Sequence, residues 1–430
     1  MNVGDDGNSH RRRVRLAIFA CLLVAGWVVA GLFLWRSEVP DLDLPSVEAH
    51  ELFSPETLAD GEAFRSGGRA FWAGAQALQL AVLGVLAWRC RALARWVGRR
   101  ISGAVRLGVL MGIASVLVVW LAQLPLGAGS HAWRRIFDVT QQGYGAWLLD
   151  RALSLLVLAV LVGLAAGVFV WLARRLGQRW WAAGGALLAV GALAFVVLQP
   201  LVIQPLFNDF RELRDPALAA EIRAIAEELD VAIDAIEVRD QSRRTSVANA
   251  QVTGIGPSTR VVIDDTLLAG DAFRRAEVVA VAAHELAHVS RAHVFKGVAW
   301  FGLFAIPAIG IVALVTGRRD PRGLANPALV PLALLTVAAI VLVTAPLQMA
   351  ISRHLEVEAD WIALQATKDP EALERLVSGF VVTNVGDPTR PAWVTHLLGS
   401  HPDTLERIGM ARLFGEQLGE QQGPSPAGAG

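Results

Sequence analysis

One short stretch carries residue types at a spacing that does chemistry. His284-Glu285-Leu286-Ala287-His288 sets two imidazoles four residues apart with a carboxylate between them. On an α-helix, positions four apart share a face about one turn apart. Both rings can then bind one Zn²⁺, and the intervening Glu reaches a water on it. The run from Ala276 to His288 is helix-compatible throughout. Catalytic zinc takes three protein ligands and keeps one position open for water, so a third ligand must come from elsewhere in the chain.

The elements around this motif narrow the search. Of the 430 residues, 54% are hydrophobic and only 18% charged, which is poor in charge for a soluble globular chain. Seven apolar stretches lie near 16–35, 70–88, 105–125, 148–173, 181–203, 297–317 and 328–349. Each offers about 20 mostly apolar residues, the length a bilayer core demands, so the chain reads as mainly α and multi-pass. The first stretch follows a basic tail, 1–15. It is too long for a signal-peptide core and no small-x-small site follows it, so it reads as a retained anchor. The net charge is zero, and nothing points to nucleic acid. Cys21 and Cys90 support neither a disulfide framework nor a Cys-based metal site.

Two polar regions remain. Residues 205–296 read as a folded unit. It holds an amphipathic helix from Pro216 to Leu229 and strands at Ala235–Arg239, Ser246–Thr253 and Arg260–Asp264. A helix capped by Asp271 would then run to about His293. Residues 350–415 form the second region, mostly helical, and 416–430 read as a disordered tail. An antiparallel hairpin of the stretches 297–317 and 328–349 would return the chain to the His284 face just before Glu356, Glu358 and Asp360. Glu356 and Asp360 share a helix face while Glu358 points away. One of the two can ligate while the other supports the site.

His284-Glu285-x-x-His288 with Ser352-Arg353-x-x-Glu356-x-x-Ala359-Asp360 resembles the membrane metallopeptidases that include CAAX prenyl protease 1. Pro205-Leu206-Phe207-Asn208, Asn249-Ala250 with Gly254 and Val261 to Leu268, and Ser400-His401-Pro402 with Leu405-Glu406-Arg407 resemble further elements of that family. The resemblance covers roughly residues 100–410. It implies a chambered membrane bundle with a zincin-like α+β catalytic domain at one membrane face and one Zn²⁺ per chain. Glu356 would be the third ligand, and Asp360 would orient a ligand histidine. His401 and Arg407 would stabilise the oxyanion, and the strand of Asn249 and Ala250 would receive an extended peptide.

The expected activity is zinc-dependent endopeptidase action on peptides or membrane-associated proteins, with Glu285 as general base. The rivals are a heat-shock-type quality-control protease and a non-catalytic scaffold or transporter. His293, about 140° around the helix from His288, reads as interfacial rather than a ligand. His354 faces elsewhere, and His396 sits further before His401 than the family's extra histidine. Gln76, Gln79, Gln123, Asp150 and Arg151 read either as cavity lining or as helix ends in the headgroup layer. Trp180, Trp181 and Trp300 read as an interfacial belt. Arginine clusters at 11–15, 89–106, 174–179 and 318–322 favour a cytoplasmic amino terminus, which with seven spans puts the catalytic site outside the cell membrane. The resemblance implies a cytoplasm-facing site instead.

Overall fold

The computed structural model describes residues 24–270 and 272–422. The basic tail 1–15, the start of the first apolar stretch with Cys21, the cap proposed at Asp271 and the tail beyond residue 422 lie outside the described residues. Among the described residues, five helices are long and apolar enough to cross a membrane: Pro55–Trp88, Ala104–Ile136, Tyr144–Phe207, His293–Arg319 and Pro327–Thr367. Seven stretches were expected. The stretches 148–173 and 181–203 are the helices Tyr144–Leu176 and Trp180–Leu198, joined directly by a tight turn at Gly177, where φ is +56°, and so counted together in Tyr144–Phe207. The stretch 16–35 is described only as the short apolar helix Val24–Leu34. The chain is a multi-pass membrane protein.

Small residues let these helices approach closely. A Cβ on Gly108 would lie 2.8 Å from the Val170 side chain, and one on Gly167 would lie 2.7 Å from that of Val109. Such small-residue seams hold membrane helices where water gives no drive to associate. Pro55–Trp88 begins earlier than its apolar stretch because Ser54 caps it, accepting from the Thr57 N–H at 3.1 Å, with Pro55 in the first turn.

The helix that sets the site is Val330–Thr367, with 38 residues. It is about 57 Å long, nearly twice a bilayer core, so its second half must project beyond the hydrocarbon. Pro346 stays within it. The partner of the hairpin, His293–Arg319, starts three residues after the helix Arg275–Ser290 that carries the H-E-x-x-H motif. The expected single helix from Phe273 to His293 is therefore two helices. The break is Ala292, in the left-handed region at φ +53°. The upstream end is set by Glu277, whose carboxylate accepts from the Arg274 N–H.

The polar region carries a four-stranded sheet. Its strands are β1 (Phe210–Glu212), β2 (Ala235–Arg239), β3 (Ala250–Thr253) and β4 (Arg260–Asp264), in the order β1-β2-β4-β3. β2 and β4 are parallel and the other pairs antiparallel, which leaves β3 on an edge. β3 is shorter than the expected Ser246–Thr253, and β1 was not expected at all. Three residues show no periodicity of their own, and pairing with β2 makes them a strand. The helix Pro216–Glu228 is capped by Asp215, which accepts from the N–H groups of Ala217 and Leu218 at 3.0 Å. Its Leu218, Ile222 and Ala226 join Ile236, Val261 and Ile263 of the sheet in one core with Val278, Val281 and Leu286 of the motif helix. Trp361, Leu364 and Leu373 close that core from the second polar region. The last helix, Thr404–Gln422, runs into the expected disordered tail because Leu418 packs on the same core.

Candidate metal centre

Within Arg275–Ser290 the alanines at 280, 282, 283 and 287 are buried and let the helix sit tightly under its neighbours. His284 is buried, and its Nδ1 lies 2.8 Å from Asp360 Oδ1. The Nδ1 of His288 lies 2.8 Å from the Nδ1 of His293. With both Nδ1 atoms engaged, the two Nε2 atoms face one another at 3.2 Å. Glu356 completes the group, with Oε2 3.2 Å from His284 Nε2 and Oε1 3.7 Å from His288 Nε2. A tetrahedral zinc ion with bonds near 2.0–2.1 Å sets its donor atoms about 3.3 Å apart, so the spacing fits. Glu356 Oε2 is buried with no donor in hydrogen-bonding geometry. One ligand atom from each of His284, His288 and Glu356 falls within 4.8 Å of the others. Burial disfavours protonated His284, but Asp360 and Glu356 outweigh it and push its pKa up to about 10.

The hydrogen bonds assign the tautomers. His284 donates its Nδ1–H to Asp360, as metal-binding imidazoles commonly do to a carboxylate. His288 donates its Nδ1–H to His293 Nδ1, and His293 Nε2–H donates to Glu358 Oε2 at 2.9 Å. His293 is buried rather than interfacial, because the turn at Ala292 swings it back under His288. Glu358 does point away from Glu356, yet it is fully buried and reaches His288 through His293. Arg291 Nε and Lys296 Nζ also donate to it, at 3.1 and 3.0 Å. Replacing His293 by alanine is expected to weaken metal binding about 10–100-fold. Chelator competition measures this, and an unchanged affinity would remove His293 from the site.

Glu285 lies between the two ligands, and burial raises its pKa against the opposing pull of both imidazoles and the Val252 N–H. The motif helix packs on β3, which places Glu285 beside the edge strand. The Asp264 N–H donates to the Asn249 carbonyl, so Asn249, Gln251 and Thr253 turn their backbone groups toward β4. The open edge is then offered by Ala250 and Val252. Asn249, expected to receive substrate, is exposed at its side chain but has spent its carbonyl on β4.

His401 and Arg407 occupy different places. His401 is half-exposed, with Nε2 3.2 Å from Glu356 Oε2, and Ser400 Oγ lies 2.9 Å from its Nδ1. Burial lowers its pKa, so the ring is held toward its neutral form. Arg407 binds Asp360 twice, Nε to Oδ2 and Nη2 to Oδ1, both at 2.7 Å. The contacts of Arg407, expected to serve the oxyanion, run to the carboxylate behind His284. Two of its three guanidinium nitrogens engage a carboxylate that has no exposure to water and is otherwise met by the His284 imidazole.

Arg353, beside the motif, donates to the carbonyls of Thr395 and Gly399 at 2.7 Å and so fixes the turn that delivers His401. His354 stacks on Trp35 and bonds to its carbonyl at 2.7 Å, and the His396 side chain is exposed. Between the membrane helices a cavity of about 950 Å³ is lined by Gln76, Gln79, Gln123, Gln348 and Leu397. Asp150 instead bonds Gln142 and Arg244, tying its helix to the catalytic region. Trp180 and Trp300 are buried against Phe169 and Phe304 rather than belted at a lipid surface, and only Trp181 is exposed.

The family described as CAAX prenyl protease N-terminal, five membrane helices, matches residues 69–209, and Peptidase family M48 matches residues 212–413. The uncharacterized metalloprotease YhfN of Bacillus subtilis is 28% identical over 300 residues, which cover 68% of this chain and 70% of that one. CAAX prenyl protease 1 of Saccharomyces cerevisiae is 31% identical over 191 residues, 43% of this chain and 40% of the yeast protein. The crystal structure of S. mikatae Ste24p superposes with a TM-score of 0.75 at 20% identity, covering 90% of this chain and 96% of that one, and shows the same fold. The chain belongs to peptidase family M48, as a membrane metalloprotease of the CAAX prenyl protease 1-like type.

Proposed function

We propose that this protein is a zinc-dependent endopeptidase that cuts extended peptides, or exposed segments of membrane-associated proteins, beside β3. One observation carries the reading. The free Nε2 atoms of His284 and His288 and the orphaned Glu356 oxygen converge on one point, flanked by Glu285 and an open strand edge. His284, His288 and Glu356 would hold the ion. A zinc ion bound there would supply a water of lowered pKa and a polarised scissile carbonyl.

The protein's own residues do the rest. Ala250 offers an outward N–H and carbonyl that align a substrate strand. Glu285 takes a proton from the attacking water and hands it to the leaving amine; its burial sharpens it for that task. His401, held toward its neutral form and next to Glu356, presents an N–H toward the developing oxyanion. Arg407 neutralises Asp360 and so keeps His284 in its ligating tautomer. Names of the relatives suggest prenylated substrates; the partly apolar cavity among the membrane helices offers room for such a group.

Stripping the purified protein with a strong chelator is expected to abolish cleavage of an unfolded protein such as casein. One equivalent of Zn²⁺ should restore it; activity that survives complete metal removal would sink the reading. The arginine distribution supports a cytoplasmic amino terminus with the site outside. Reporter fusions at residues 240 and 415 test this, and a cytoplasmic signal at both would reverse the orientation.

A further inference from the structure

One end of the membrane bundle carries charge of a single sign. Cys90, Met111, Val170, Trp180, Val312 and Val330 share one buried cluster there, which gathers the ends of six helices. His293–Arg319 has 27 residues and runs about 40 Å from the metal centre to this end. The short helix Cys90–Val97 lies across it. Cys90, Leu93, Ala94 and Val97 pack on the cluster, and Arg91 and Arg95 are exposed on the other face, with Arg99 one turn further on. Trp88 and Trp96 beside them are 69% and 66% exposed. Arginines on one face with open tryptophans next to them suit a segment lying in the headgroup layer.

The protein itself leaves these cations unanswered. Within 82–108, 165–185 and 310–335 the sole acidic residue is Asp320. It is buried and held by Arg322 and Asn326. Arg91, Arg95, Arg99, Arg106, Arg174 and Arg318 are exposed, and among the described residues the one ion pair at this end is that of Arg322 with Asp320. A cavity of about 410 Å³ opens among them, lined by Ile101, Ser102, Arg106, Val109 and Leu110. Its guanidinium and hydroxyl can donate to phosphate oxygens, two of them to one arginine fork. Val109 and Leu110 continue the lining deeper along the membrane helix Ala104–Ile136, where an acyl chain would run. We propose that this end of the bundle is a binding surface for anionic phospholipids, with one headgroup phosphate seated between Ser102 and Arg106 and its chain along Val109 and Leu110. Each arginine near a negatively charged lipid surface changes affinity about fivefold.

The test uses the full-length, zinc-loaded protein in neutral detergent, with phosphatidylglycerol, phosphatidylcholine or inorganic phosphate added in turn. Native mass spectrometry counts retained lipid, and thermal unfolding reads its effect on the fold. Phosphatidylglycerol is expected to be retained about tenfold more strongly than phosphatidylcholine and to raise the melting temperature. Inorganic phosphate at the same concentration should leave the melting temperature where it was. Arg106→Gln should weaken retention of phosphatidylglycerol about fivefold, and the combined Arg91→Gln, Arg95→Gln and Arg99→Gln variant on the order of a hundredfold. Exchanging three exposed arginines of the catalytic region, Arg211→Gln, Arg214→Gln and Arg223→Gln, lowers the net charge equally and should leave retention unchanged. The comparison of the three ligands on the wild type decides the matter even where a variant fails to accumulate. Equal retention of the two lipids, an equal loss in the catalytic-region variant, or stabilisation by inorganic phosphate to the same extent overturns the lipid surface.

Discussion

Glu285→Ala protein is expected to bind one metal ion as the wild type does and to hydrolyse peptides about 10²–10⁴-fold more slowly. The separation of these two effects follows from the geometry. The three candidate ligands come from His284, His288 and Glu356, and Glu285 donates nothing to any of their side chains. It acts on the two imidazoles through charge alone. Removing it leaves the Nδ1 bonds to Asp360 and His293 in place. Only the acceptor for the water's proton is lost. Glu285→Gln should behave the same way, since the amide fills the space but cannot take a proton. The measurements are metal stoichiometry by atomic emission and kcat/KM on one peptide. A variant that loses its metal along with its activity would mean that Glu285 holds the site together rather than acting on substrate.

Much of this centre was legible because it depends on local periodicity. Helical spacing pairs His284 with His288, and Glu356 with Asp360, and a membrane hairpin of two apolar stretches brings the second pair back to the first. What periodicity missed depends on breaks and on contacts distant in sequence. His293 looks misplaced by 140° only if the helix continues through it, and the left-handed Ala292 ends the helix just before it. Glu358 then looks idle, because its purpose is visible only once His293 is known to lie under His288. The tryptophans were misread for a related reason. Composition puts Trp at membrane interfaces, but Trp180 and Trp300 fill the bundle interior, where neighbouring aromatics and glycines leave space for them. Arg407 illustrates the limit of motif reading. The order of residues places it near the centre but does not say which carboxylate it answers.

That assignment predicts a large loss when Arg407 is removed. Asp360 has no solvent exposure, and its two oxygens are met by one imidazole N–H and by two guanidinium nitrogens. Arg407→Ala leaves that carboxylate buried without its cation, a change that costs about 3–5 kcal/mol in comparable buried pairs. Asp360 can relieve the cost by taking up a proton. It then no longer accepts cleanly from His284, and the ligating tautomer is lost. Thermal unfolding should therefore shift to lower temperature and zinc affinity should fall together, with activity lost as a consequence. Arg407→Lys restores the charge but not the two-pronged geometry, so it should recover only part of each. If Arg407 instead served the oxyanion directly, the alanine variant would keep its metal and its melting temperature and lose kcat alone. The two readings thus separate on quantities that can be measured before any substrate is found.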